Sequence, residues 1–262
     1  MDENIRKQKE ASFHDEYRGG KMEKEDPKRY RQFLRRKRFY SVVKRSEDFI
    51  QNFLKKNCKD KRVLDCGCGE GRVSIFLAEN GAEAFGIDIS PETIKVAQKK
   101  AAERNLTKIS FLVQDVENLK FPDNYFDIIV CAGILHHLDI KKVYPGLSRV
   151  LKPEGKVICN EPLIHNPIFQ LYRRMTPHLR TAWEAEHILS KKDIKLAENY
   201  FSKVEKRFFH LFSLAAVPFF GRPAIFKIVL GVLSSIDYLV LKIPFVRWWA
   251  WQIVFILSEP KK

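Results

Sequence analysis

Val63-Leu64-Asp65-Cys66-Gly67-Cys68-Gly69-Glu70-Gly71 is the stretch on which the fold turns. Two apolar residues and an acid read as the end of a buried strand. Gly67, Gly69 and Gly71, at alternate positions, read as a turn that no Cβ could follow. Residues 73–78 then open an amphipathic helix. In such a turn a ligand lies against bare backbone, with N–H groups of the helix start aimed at anything electron-rich. The spacing is not the G-x-G-x-x-G of dinucleotide loops, which must wrap a pyrophosphate.

Working outward, strands alternate with helices. Residues 61–66 read as a strand, 71–80 as a helix and 84–89 as a second strand. Ser90-Pro91-Glu92 is a helix start, with a hydroxyl to cap, proline at the first helical position and an acid in the first turn. That helix runs to about residue 104, and Asn105 stands where a C-terminal cap belongs. Strands follow at 109–114 and 126–131, a helix at 143–151, a turn at 152–155 and a fifth strand from 156. Helical crossovers between strands require a parallel sheet, whose ligands bind beyond the strands' carboxyl ends. Upstream, residues 28–57 carry apolar residues at helical intervals. Residues 1–26 are polar and charge-mixed around Gly19 and Gly20, and read as flexible without a ligand.

An acid two residues before the first glycine, followed by G-x-G-x-G, resembles the first motif of class I S-adenosylmethionine-dependent methyltransferases. Gly86-Ile87-Asp88-Ile89-Ser90 resembles the second motif, Val113-Gln114-Asp115-Val116-Glu117 the third, and Phe126-Asp127-Ile128-Ile129-Val130-Cys131 the fourth. The turn Leu151-Lys152-Pro153-Glu154-Gly155-Lys156 resembles the one before the family's fifth strand. The resemblance covers roughly residues 61–160. It implies a seven-stranded, doubly wound, Rossmann-like α/β sheet whose last two strands are an antiparallel hairpin, at 204–212 and 251–258. It implies S-adenosylmethionine as cofactor. Asp65, Gly67, Cys68 and Gly69 would flank the methionine end, and Asp88 with Ile89 would take the ribose diol. Asp115 with Val116 would take the adenine, and Cys131 would line the floor beneath the sulfonium. The domain division that follows is an N-terminal tail and helical cover at 1–57. A methyltransferase domain at 58–262 then carries an apolar helical insert at about 218–247.

Methyl transfer from a sulfonium is an in-line displacement, so catalysis is mostly positioning, with a base needed where the nucleophile is protonated. His136 and His137, directly after the fourth strand, are the nearest candidates for that base, and Glu161, just after the fifth, is another. Packing or capping is the competing reading for the histidine pair. His165, Tyr172, Arg173, Arg174, Arg180 and His187 follow on an excursion where a substrate-recognising lid belongs. Enzymes that methylate nucleobase amines carry Asp/Asn-Pro-Pro-aromatic after strand four. Cys131-Ala132-Gly133-Ile134 stands here instead, and Cys131 lacks the preceding proline of cytosine-C5 enzymes. Nucleic acid is therefore disfavoured as acceptor.

The chain has 262 residues and a net charge of +15. Nine basic residues and no acid occupy residues 28–45, interleaved with Tyr30, Phe33, Phe39 and Tyr40. A solvated helix face, a patch for anionic lipid and a nucleic-acid patch all satisfy that pattern. Five cysteines with no C-x-x-C pair read as reduced, buried thiols, and no metal site is expected. The N-terminus lacks the apolar core of a cleaved signal peptide. Residues 208–257 are apolar, but Lys227, Asp237 and Arg247 interrupt every run that approaches a membrane span. A helical hairpin inserted between the last two strands, seated at a bilayer interface or packed internally, is the expectation. The expected function is methyl transfer to a small, hydrophobic or lipid-linked acceptor by a cytoplasmic protein with peripheral membrane contact. RNA methylation and cofactor binding without turnover are the alternatives.

Overall fold

The computed structural model describes residues 3–18, 25–176 and 181–262. Gly19, Gly20 and Arg180 lie outside the described residues. Five parallel strands, β1 (Arg62–Cys66), β2 (Glu83–Asp88), β3 (Ile109–Val113), β4 (Phe126–Ala132) and β5 (Leu151–Pro162), join β6 (Phe201–Phe209) and β7 (Gln252–Pro260). The order is β3-β2-β1-β4-β5-β7-β6, and β7 runs antiparallel to both neighbours. The chain reverses its direction of strand addition between β1 and β4, so their carboxyl ends open the crevice where such sheets bind ligands.

Period-two alternation feeds two cores. Leu64, Ile129, Cys131 and Val157 face one layer, and Val63, Ile128, Val130 and Ile158 the other. Both faces are covered, which is why these strands read as nearly continuous apolar runs. The second layer is closed by Ile50 and Leu54 of a helix at Lys44–Asn57.

The helical cover expected at 28–57 is broken into three pieces. α1 (Glu3–Arg18) lies upstream. α2 (Pro27–Arg36) is followed by a 3-10 turn at Lys37–Val42, and α3 is the helix at Lys44–Asn57. The break lets Phe39, Val42 and Val43 tuck into a separate cluster with Phe169, Ala216 and Trp251. Next come α4 (Arg72–Glu79), α5 (Pro91–Ala102), α6 (Ile140–Val150), α7 (Pro167–Met175), α8 (Ala182–Glu186) and α9 (Lys191–Leu196). Ser90 caps α5 as its sequence requires, accepting the Thr93 N–H at 3.1 Å. Asn105 has a φ of +54°, the left-handed conformation that ends such a helix.

Between β6 and β7 stands one long helix, α10 (Pro223–Val240), flanked by 3-10 turns at Ser213–Phe219 and Val246–Trp249. This corrects the expected helical hairpin. Pro218 and Pro244 confine the flanking runs to short turns, because neither proline can continue an α-helix.

Candidate active site

At the carboxyl end of β1, Gly67, Gly69 and Gly71 all have positive φ, at +68°, +52° and +81°. A Cβ at Gly67 would come within 2.6 Å of the Ile134 side chain, and one at Gly71 within 2.8 Å of Phe111. The turn is thus closed to any side chain and presents backbone to the crevice. Asp88, ending β2, fastens it: one carboxylate oxygen accepts the Gly69 N–H at 2.9 Å and the other the Ser90 N–H at 2.9 Å. A carboxylate oxygen can accept more than one hydrogen bond, so this clamp is compatible with a diol on the same group. Asp115, just past β3, accepts the Glu117 N–H at 2.8 Å.

A cavity of about 140 Å³ lies over these strand ends. Of the residues picked out by sequence, Gly67, Asp88, Ile89, Asp115, Val116 and His137 line it. The others lie behind that wall. Asp65 is buried and accepts the Ser74 hydroxyl at 2.7 Å, and burial pushes its carboxyl up to about 7. Cys68 and Gly69 belong to the turn's inner side, where the Cys68 N–H meets the Ile87 carbonyl at 2.9 Å. Cys131 is wholly buried between its register partners Cys66 and Cys159, and Ala132 and Gly133 form the floor instead.

His136 and Glu161 also need correction as candidates for the base. Glu161 is fully buried. One of its oxygens takes the Ile134 and Leu135 N–H groups at 2.9 and 2.8 Å, and the other meets His136 Nδ1 at 2.6 Å. The pair is a clamp that folds the loop after β4, held away from the cavity. Burial raises the Glu161 carboxyl to about 7, against the pull of those backbone donors. His165 is likewise engaged elsewhere, accepting the Lys191 N–H at 3.1 Å.

The cavity's roof was not legible in the sequence. α1, read as part of a flexible tail, lies across it, with Arg6 and Glu10 buried. Arg6 grips both oxygens of Glu117 at 2.5 and 2.7 Å, donates to the His137 carbonyl at 3.0 Å, and stacks 4.4 Å from the centre of the Trp183 ring. Lys7 reaches Asp115 at 2.7 Å. Glu10 meets His137 Nδ1 at 2.9 Å, while its other oxygen, Oε1, is buried without a hydrogen-bond partner. Burial pulls the His137 imidazole down. The bond to Glu10 and the nearby Glu184 and Glu161 charges outweigh it and hold the imidazole above its ordinary value.

The residues fit the cofactor that the motifs imply. The glycine cradle excludes side chains, carboxylates stand at the ends of β2 and past β3, and Glu10 leaves an orphaned acceptor at the cavity wall.

Residues 64–159 match the family model described as a methyltransferase domain. An uncharacterized methyltransferase of Bacillus subtilis, YcgJ, is 31% identical over 138 residues, covering 48% of this chain and 54% of that protein. A demethylmenaquinone methyltransferase of Geobacillus is 36% identical over 107 residues, covering 39% of this chain and 46% of the relative. The chain therefore spans about half the length of these curated relatives. The crystal structure of a geranyl diphosphate C-methyltransferase from Streptomyces coelicolor, bound to S-adenosylhomocysteine, superposes with a TM-score of 0.58 at 13% identity. That superposition covers 84% of this chain and 83% of the other, a likeness of fold. With the glycine cradle, the acid at the end of β2 and the sheet order all in place, residues 64–159 carry a methyltransferase domain on a Rossmann-like sheet, similar to that of class I S-adenosylmethionine-dependent methyltransferases.

Proposed function

We propose that this protein transfers a methyl group from S-adenosylmethionine to a small, hydrophobic, lipid-linked acceptor. The observation that carries the reading is the convergence of Gly67, Asp88, Asp115 and His137 on one cavity at the strands' carboxyl ends. Bound there, the cofactor supplies an electrophilic methyl group on a sulfonium.

Asp88 would hold the ribose diol by charge-assisted hydrogen bonds, with Ile89 packed beside it. Asp115 and Val116 would hold the adenine edge, and the Gly67–Gly69 backbone the methionine end, above the buried Asp65. His137, oriented through Nδ1 by Glu10, would accept the acceptor's proton as its oxygen or nitrogen is methylated. Ile134 and Leu138 give the same wall an apolar surface that excludes water. A relative named for demethylmenaquinone supports a small, apolar acceptor, and the apolar insert supports a lipid-linked one.

The test is to incubate the protein with methyl-labelled S-adenosylmethionine and, separately, fractionated cell lipids, water-soluble metabolites and RNA. Label is expected in the organic-extractable fraction. Label in RNA, or cofactor binding with no transfer to any fraction, would contradict the reading.

A further inference from the structure

Helix α10 is amphipathic the wrong way round for water. Ile225, Ile228, Val232, Ile236 and Leu239 recur at helical intervals and point outward, with Ile228 69% and Leu239 64% exposed. The inward face carries polar residues beside its apolar contacts: Ser234 and Asp237 are buried. Asp237 accepts the N–H groups of Leu211, Phe212 and Ser213 at 3.1, 2.6 and 3.1 Å. The Arg45 guanidinium binds the Ser234 carbonyl. A helix on a water-facing surface shows the opposite arrangement. α7 repeats the pattern. Phe169 stacks on Trp251 at 4.9 Å within the cluster that α10 also joins, while Ile168, Leu171 and Met175 are turned outward.

Charge identifies what covers this face. Residues 206–258 contain six basic residues and a single acid, Asp237, which is turned inward. The exposed charges that this segment sets on and beside the helix are therefore cations: Arg222, Lys227 and Lys242. A second copy meeting this face would oppose cation to cation. Lys242 sits 4.3 Å over the ring of Tyr238, and Tyr238 and Trp249 are more than half exposed, as interfacial aromatics are. α10 has 18 residues with mean hydropathy 1.7, enough by length to cross a bilayer. Crossing would break the Asp237 and Arg45 contacts and strand those groups in hydrocarbon.

We propose that α10, with the α7 stripe joined to it through the same cluster, seats the protein flat on an anionic membrane surface. The outer apolar stripe enters the interfacial region and the flanking cations meet lipid phosphates. α7 leaves the sheet just past β5, at the end where the cavity opens, so the seat adjoins the route of a lipid-linked acceptor. Only that purpose rests on the methyltransferase reading; the association needs neither cofactor nor turnover, so the two fail separately.

Flotation with phosphatidylcholine–phosphatidylglycerol vesicles tests the seat, with pure phosphatidylcholine vesicles as the neutral comparison. The wild-type chain should float with the anionic vesicles, keep a salt-resistant fraction, and float less with the neutral ones. The Ile228→Glu/Val232→Glu double variant changes only outward side chains and should retain the wild-type melting temperature. Its partitioning should fall at least about tenfold. Absence of wild-type flotation at low salt, or equal flotation of the double variant, would overturn the proposal. So would a soluble dimer that the same substitutions dissociate, since that would give the face to a second copy.

Discussion

Glu10 and His137 meet across 127 positions of sequence, and their bond decides what the histidine can do. His137 is also faced by Glu184 from α8 and by Glu161 from β5, with Arg6 and Lys7 on α1 nearby. The Glu10→Gln variant keeps the shape and removes the charge, so the imidazole should titrate at lower pH than in the wild type. An NMR titration of the cofactor-free protein checks this, and the acid limb of kcat/KM should move the same way. An unmoved His137 would show that Glu10 does not tune it. The sign for stability follows. Because the folded value is raised, this bond contributes fully below the unfolded value of about 6.5 and is lost as pH rises through the folded one. Protection of α1 amides against hydrogen exchange should fall over that window. Gly67, Asp88 and Asp115 were legible as residues at the cavity because each stands at or just past a strand end, where a motif fixes its place; of the pair His136 and His137, which the sequence left undivided, only His137 lines the cavity. Arg6, Lys7 and Glu10 were not, because their partners lie more than a hundred residues away and a polar helix carries no signal for them.

At the scale of elements, the proposed seating of the cofactor requires α1 to move. The cavity beneath it, about 140 Å³, is below the roughly 300 Å³ at which ligand pockets begin, and Lys7 already holds the carboxylate assigned to the adenine. Lys7→Ala removes that competitor. The ion pair is partly exposed and worth at most about 1 kcal/mol, so cofactor affinity should rise by up to about fivefold in a calorimetric titration. A tenfold loss would instead make Lys7 a ligand contact. Elements with strong local signals formed where the sequence put them: the Ser90 cap, the Asn105 stop and the first four parallel strands; the fifth starts earlier, at Leu151, and takes in residues 152–155, which read as a turn. Those shaped by packing across long separations did not. The 28–57 helix breaks at Lys37–Val42 because Phe39, Val42 and Val43 are drawn into the cluster around Phe169 and Trp251. α10 stands as a single helix because its partner is the 3-10 turn at Ser213–Phe219, which residues 211–213 tie to Asp237.

Across the whole molecule, the sheet order and the glycine turn put four strand ends in one crevice, and the apolar insert sits on the far hairpin without entering it. The five parallel strands were readable because alternating strands and crossover helices leave few topologies open, and the antiparallel hairpin that completes the sheet was implied by the family resemblance. The insert's inverted orientation was not, since the positions of Ser234 and Asp237 acquire meaning only once the helix is seated. Cofactor binding underlies everything proposed for the crevice, and Asp88 is its most exposed assumption. Isothermal titration of S-adenosylmethionine into wild type and Asp88→Ala, with circular dichroism to verify the fold, tests it directly. The account predicts a single site in the wild type. In the variant, loss of a charge-assisted pair of hydrogen bonds, about 2–4 kcal/mol, should weaken affinity roughly 30- to 1000-fold. Equal affinity in the two proteins, or no binding to the wild type, would contradict it.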